Sequence, residues 1–258
     1  MINKYNKYLL LSLFLLLLCF AYLLYQFTRR NQIRETMYTK STAVIVEPRE
    51  HKALGYVLQN AIENLDDNWD IMIFHGIKNK QFVLDIIEKD LRDFKHRITL
   101  QNLYIENLTI EEYNQLMTSI DFYEKIPTET ILIFQTDSII CEECKDYLNE
   151  FLQYDYVGAP NKEWVGNGGL SLRKKSKMID VLKHHNREPG ENEDIFFTKK
   201  EHKLSIPDIN TANRFSNEGN YSPNSFGVHK PWWYFSKPDL YKKQQHCKAL
   251  KKLINLNE

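Results

Sequence analysis

The chain has 258 residues, with 34 basic and 34 acidic side chains and a formal net charge of +0. No global field therefore points to nucleic acid as a partner. It is 43% hydrophobic and 26% charged, the balance of an ordinary globular protein, and beyond its N-terminal apolar stretch it is long enough for one well-buried domain but not for two. The lysine pairs Lys174-Lys175, Lys199-Lys200 and Lys242-Lys243 read as solvated surface.

Residues 1–7 form a short tail. From Tyr8 to Phe27 the sequence carries no charge. A hydrocarbon core about 30 Å thick needs about 20 helical residues, so 8–27 is expected to be a transmembrane signal anchor, with Tyr22 and Tyr25 at the interfacial end. The following Gln26-Phe27-Thr28-Arg29-Arg30 is a poor cleavage site, which favours an uncleaved anchor over a signal peptide. Basic residues flank both ends (Lys4 and Lys7; Arg29, Arg30 and Arg34, with Lys40 further along), so charge does not fix the orientation and, if anything, favours a cytosolic C-terminal side. Sequons at Asn107 and Asn220 would be usable only in a secretory lumen, and in an Asn-rich chain they arise by chance.

Residues 28–41 read as a polar stem. Thr42 to Val46 is a short, continuous apolar run rich in β-branched residues, which predicts a strand buried on both faces. Leu54, Val57, Leu58, Ala61, Ile62 and Leu65 recur at helical spacing within 51–65. Strands are predicted at 70–75, 98–103 and 131–134, and helices at 80–94 and 110–119. Strands alternating with helices imply crossover connections and a central, mostly parallel sheet, an α/β fold. The domain is expected to span 42–240, with a helical tail at 241–258. Cys141 and Cys144 form a CxxC, but no second ligand pair stands at zinc spacing and the context is not thioredoxin-like. Plain thiols or one local disulfide are expected there.

The second half has shorter apolar runs, more Gly and Pro, and many aromatics. Asp137 leaves the strand that ends at Phe134, where α/β proteins bind ligands, and could hold Mg²⁺ or Mn²⁺; the alternative is a turn or N-cap aspartate. In Trp164 to Arg173, Gly168 and Gly169 let a ligand approach the backbone, unless this is an ordinary bend. Ser171 and Arg173 alternate with Leu170 and Leu172, as on a strand with one dry face. Glu193 and Asp194 precede an apolar helical start. They suit acid/base work, with Asp194 the better base, or simply a helix N-terminal dipole. In His229-Lys230-Pro231-Trp232-Trp233 the histidine could ligate a metal, Lys230 could neutralise diphosphate, and the tryptophans could stack on a sugar or base or fill a core.

In order, Gln135-Thr136-Asp137, Tyr154 to Pro160 (YDYVGAP), GNGGLSLR from Gly166, the Glu193-Asp194 pair and the closing Phe226 to Trp232 (FGVHKPW) resemble a glycosyltransferase-like family known mostly as a domain of unknown function. The resemblance implies a single Rossmann-like, type A glycosyltransferase domain. Gln135 replaces the first carboxylate of that fold's usual Asp-x-Asp. The Gly-x-His-Lys-Pro-Trp ending is similar to glycogenin-like enzymes, which implies metal binding by Asp137 and His229 and diphosphate binding by Lys230. The Gly-Gly and Glu-Asp elements are similar to inverting galactosyltransferases, which implies that Asp194, with Glu193 beside it, meets the acceptor. Gln135, Asp137, Gly168, Gly169, Lys230 and Trp232 would then bind the donor. The expected activity is sugar transfer from a nucleotide-sugar donor to a hydroxyl of a glycan, protein or lipid acceptor, assisted by Mn²⁺ or Mg²⁺ and inverting. By analogy the domain would face the secretory lumen. A membrane-tethered carbohydrate-binding protein with a degenerate site and a nucleotidyltransferase are the alternatives.

Overall fold

The computed structural model describes residues 15–26, 28 and 40–258. Residues 15–26 are helical. The rest of the expected anchor, 8–14 and 27, and most of the expected stem lie outside the described residues. Among the described residues no helix is long and apolar enough to cross a membrane. Lys40–Glu258 form one compact unit.

Strand β1 (Ser41–Val46) is central, with Ala43, Val44 and Ile45 fully buried. It pairs in parallel with β2 (Trp69–His75) on one side and β4 (Thr130–Phe134) on the other, and β2 pairs in parallel with β3 (Ile98–Asn102). Parallel neighbours need crossovers. Helices α1 (Leu54–Asn64) and α2 (Lys80–Asp90) supply the first two, and α3 (Ile110–Met117) with α4 (Ile120–Lys125) the third. The helix expected over 80–94 ends at Asp90, and tighter 3-10 turns take Arg92–Arg97 into β3. Apolar clusters cover both faces of the sheet, which is why the parallel strands read as unbroken apolar runs.

Beyond β4 the chain changes character. Strand β5 (Ser138–Ile140) leaves the main sheet, and after the short helix α5 (Leu148–Phe151), β6 (Tyr156–Pro160) and β7 (Val165–Lys174) return to it. Strand β7 runs antiparallel between β4 and β6, giving the order β3-β2-β1-β4-β7-β6. Its expected wet face does not exist: Ser171 and Arg173 are both fully buried. Helices α6 (Lys175–His184), α7 (Glu193–Phe197) and α8 (Ile209–Phe215) follow. Strands β8 (Ser216–Asn217) and β9 (Gly227–His229) join β5 in a second sheet of order β5-β9-β8.

The segment expected as a tail, 241–258, folds into the domain. It comprises the end of α9 (Lys237–His246) and all of α10 (Ala249–Asn257), whose Leu250 and Leu253 are fully buried in the core that contains β5. The α10 residue Asn257 donates through Nδ2 to the carbonyl of Thr136, 3.1 Å away, and so braces the turn between β4 and β5. Lys243, expected at the surface, is fully buried. Its Nζ donates to the carbonyls of Ser222 and Pro223 and to Ser225 Oγ at 3.1, 3.2 and 2.7 Å. Loss of hydration pushes its ammonium down to about 7. With the folded value below the unfolded one, Lys243's contribution to stability is complete only above the unfolded value and is lost as pH falls through about 7. Melting temperature is therefore expected to gain from this residue between pH 7 and 10. Thermal melts of Lys243→Met should lack that gain.

The CxxC does not close on itself. Cys141 is bonded to Cys247, with Cα atoms 4.7 Å apart and 106 positions between them in sequence, while Cys144 is a free, buried thiol. The bond ties β5 to the connection between α9 and α10. A loop this long makes the cross-link worth about 2–5 kcal/mol. Alkylation of the denatured, unreduced chain should label Cys19 and Cys144 only, and Cys247→Ser should lower the melting temperature.

Candidate functional site

The site is built by the small sheet. At the end of β4, Gln135 N donates to Ser138 Oγ, which donates back to the Gln135 carbonyl, both at 2.9 Å. This closes a tight turn carrying Thr136 and Asp137 into β5. Strand β5 is pinned from α1, where the Asn60 side chain meets both backbone groups of Ile140 at 2.8 and 3.0 Å. Strand β9 lies antiparallel to β5 with His229 opposite Ser138, and Lys230 N donates to the Asp137 carbonyl at 2.9 Å. Strand β8 runs parallel to β9 and delivers Glu218 next to His229.

Each of the three strands thus contributes one group to a line. Asp137 Oδ1 is 3.2 Å from His229 Nε2, and Glu218 Oε1 is 3.2 Å from Nδ1 on the other edge of the ring. Lys230 Nζ stands 3.9 Å from Asp137 Oδ2. Asp137 and His229 are brought together as expected. Glu218 was not foreseen, because Asn217-Glu218-Gly219-Asn220 reads as loop and only the β8–β9 pairing places it.

His229 is 2% exposed. Burial alone would push its imidazole down, but the carboxylates of Asp137 and Glu218 outweigh it and hold it up at about 9. Burial also pushes the Asp137 carboxyl up, yet His229 and Lys230 pull it below its ordinary value. Asp137 Oδ1 and both ring nitrogens of His229 are shielded from water, and none makes a hydrogen bond of ordinary geometry. A buried imidazole and carboxylate facing each other without a good hydrogen bond, with a second carboxylate behind the ring, form a donor set that suits a divalent cation.

The glycines explain how the ring fits. A Cβ on Gly169 would lie 2.2 Å from His229 Nε2, so the imidazole packs on bare backbone. The neighbouring Gly168 donates from its N–H to Asp194 Oδ2 at 3.0 Å. The Gly168-Gly169 pair therefore has Asp194 against one residue and His229 against the next.

The Glu193–Asp194 pair is split. Both oxygens of Glu193 are taken by Arg173, at 2.7 and 2.9 Å, with Arg173 0% exposed. The guanidinium also donates to Tyr123 Oη and Ser171 Oγ and lies against the rings of Tyr156 and Phe197. Burial pushes the Glu193 carboxyl up while Arg173 pulls it down. The geometry gives Glu193 an anchoring task, fixing the start of α7 to β7, in place of the expected place in the catalytic pair. Asp194, half-buried, is left facing Gly168.

A cleft of about 460 Å³ opens beside Asp137 and Lys230, with Tyr113, Gln135 and Asn192 among its walls. Tyr113 is presented by α3, whose first turn is fixed by a reciprocal cap between Thr109 and Glu112. Gln135 Nε2 donates to Tyr113 Oη at 3.0 Å, so it faces the cleft but is already bonded. Arg49, in the loop that follows β1, also lines the cleft and forms a two-point pair with Glu47, both contacts at 2.8 Å. Trp232, expected to bind the donor, packs instead against the core, while Trp233 is 73% exposed beside Lys230.

The mainly parallel sheet and the β4–β5 turn give this domain a type A glycosyltransferase-like fold. It superposes on the glycosyltransferase GlyE of Streptococcus pneumoniae TIGR4 with a TM-score of 0.50 and 13% identity, covering 84% of this chain and 60% of GlyE. The mannosyltransferase PcManGT of Pyrobaculum calidifontis, solved with GDP-Man and Mn²⁺, gives 0.50 and 11%, covering 84% of this chain and 64% of the other. The galactosyltransferase LgtC, solved with donor and acceptor sugar analogues, gives 0.50 and 10%, covering 83% and 94%. The chain thus spans under two thirds of GlyE and PcManGT. No curated protein matches the chain in sequence. Residues 96–229, more than half of the chain, match the family described as protein of unknown function (DUF5672), and the chain belongs to it.

Proposed function

We propose that this protein is a glycosyltransferase that moves a sugar from a nucleotide-sugar donor to an acceptor hydroxyl. The observation that carries the reading is the meeting of Asp137 and Lys230, which line the cleft, with the buried His229, and with Glu218 behind the ring. PcManGT, on a similar fold, was solved with GDP-Man and Mn²⁺, which supports a nucleotide sugar and a divalent cation here. Asp137 and His229 would hold Mn²⁺ or Mg²⁺. When bound, that ion offsets negative charge on the donor diphosphate.

The chain's own groups do the rest. Lys230 places a point charge beside the leaving diphosphate, and Gln135 and Tyr113 wall the donor side. Asp194, held by the Gly168 N–H, accepts the acceptor hydroxyl's proton. The acceptor oxygen bonds to the anomeric carbon as the bond from that carbon to the phosphate oxygen breaks. The nucleoside diphosphate leaves with the electron pair, and attack opposite the leaving group inverts the centre. We further place the domain in an oxidising lumen, on an N-terminal anchor over 8–27; the Cys141–Cys247 bond supports that compartment.

The test is a product assay on nucleotide sugars with Mn²⁺. Release of a nucleoside diphosphate is expected, with Asp137→Asn slower by roughly 10²–10³-fold, the usual cost of losing a group that stabilises developing charge. Release of pyrophosphate would assign a nucleotidyltransferase. Glycan binding with no release, unchanged in Asp137→Asn, would assign a tethered carbohydrate-binding protein. Glu218→Gln should weaken Mn²⁺ binding by roughly 10–100-fold, the effect of losing a carboxylate behind a ligating histidine, read by equilibrium dialysis.

A further inference from the structure

A second set of metal-ligating side chains lies outside the cleft. His185 follows the last turn of α6 and is fixed there by its N–H bond to Val181 O at 2.9 Å. Glu201 and His202 share one 3-10 turn, Lys200–His202, closed by Lys203 in the left-handed region at φ 53°. One ligand atom from each of the three side chains falls within 4.8 Å of the others. The two imidazoles lie 4.4 Å apart between centroids, and the Phe196 ring covers His202 at 5.2 Å.

Both ring nitrogens of His202 are shielded from water, and neither makes a hydrogen bond of ordinary geometry. An imidazole that is only half-buried, yet has both nitrogens in that state, forfeits hydrogen bonds that it would make in water. Coordination would resolve this. Lys199 is committed to Glu191 at 2.9 Å, and among the described residues no lysine or arginine stands within ion-pair distance of Glu201. Glu201 is exposed, which leaves an entry path.

Two imidazole nitrogens and one carboxylate oxygen suit a borderline transition metal, with a fourth position for water; they do not suit Ca²⁺ or Mg²⁺, which want more oxygens. We propose that His185, Glu201 and His202 bind a divalent ion of the zinc class. The ion joins the end of α6 to the turn that follows α7. It therefore braces the short helix that starts with Glu193 and Asp194 from the end opposite the Arg173 anchor. This inference does not depend on the glycosyltransferase reading.

The test is a Co²⁺ titration of the full chain, stripped with EDTA, followed by visible absorption. A tetrahedral d–d band that Zn²⁺ displaces is expected. His185→Gln, His202→Asn and Glu201→Gln should each weaken Co²⁺ binding by roughly tenfold or more, since losing even a group behind a ligand costs 10–100-fold. Glu201→Gln, at an exposed position, keeps the test meaningful if a histidine variant fails to fold. His229→Ala should leave the band unchanged, which separates this site from the cleft. Zn²⁺ should raise the melting temperature of wild type by more than that of the variants, which keep the cleft site. Absence of the band in wild type, its survival in all three variants, or its loss in His229→Ala would overturn the assignment.

Discussion

Gly169→Ala is expected to abolish Mn²⁺-dependent donor binding while leaving the domain folded. The new methyl would stand 2.2, 2.3 and 2.5 Å from three atoms of the His229 ring. The ring cannot simply swing clear, because Glu218 stands at its far edge and β9 is paired on both sides. Relief comes by turning the imidazole away from Asp137, which removes one of the two proposed ligands. Loss of a ligand should cost more than the roughly 10–100-fold in metal affinity typical of losing a group behind one. Gly219→Ala is the control, since nothing lies within 4 Å of its added carbon. Calorimetric Mn²⁺ titration of both variants, with circular dichroism to confirm folding, checks the result.

Arg173→Met is expected to cost stability heavily. Removing one partner of a buried, two-point ion pair leaves Glu193 uncompensated in a dry environment, a loss of about 3–5 kcal/mol. At 2–4 °C per kcal/mol for a domain of this size, the melting temperature should fall by roughly 6–20 °C. Adding Glu193→Leu removes the stranded charge and should recover much of that loss. Activity should not return with it, because the start of α7 has lost its two-point anchor to β7 and the Gly168 N–H alone is left to position Asp194. Thermal melts and turnover of the single and double variants separate the two effects. Equal recovery of both would show that the pair contributes stability alone.

The parallel half of the fold was legible because its strands are buried on both faces. Thr42 to Val46 and Ile131 to Phe134 could hardly be anything but inner strands, and the helical spacing from Leu54 to Leu65 is that of a crossover helix. Asp137 was legible for the same reason: a carboxylate leaving such a strand falls in the crevice. His229 was reached through its motif, not through any periodicity.

What sequence could not show was set by tertiary pairing. Strand β8 is two residues long and has no pattern, so nothing in the sequence singles out Glu218. Arg173 alternates with leucines as a surface residue would, and only the position of α7 turns that face into an internal ion pair. Cys141 and Cys247 are 106 residues apart, and cysteine spacing does not determine connectivity. Lys243 sits beside Lys242 in a run that looks solvated, yet the carbonyls of Ser222 and Pro223 capture it. In each case the partner lies on another element, beyond the reach of a local pattern.

The cation shared by Asp137, His229 and a donor diphosphate is most directly tested by calorimetric titration of UDP and GDP into the full chain with and without Mn²⁺. One of the two nucleotides is expected to bind only when Mn²⁺ is present, and His229→Ala should remove that binding. Nucleotide binding that needs no cation, or that His229→Ala leaves intact, would contradict the account.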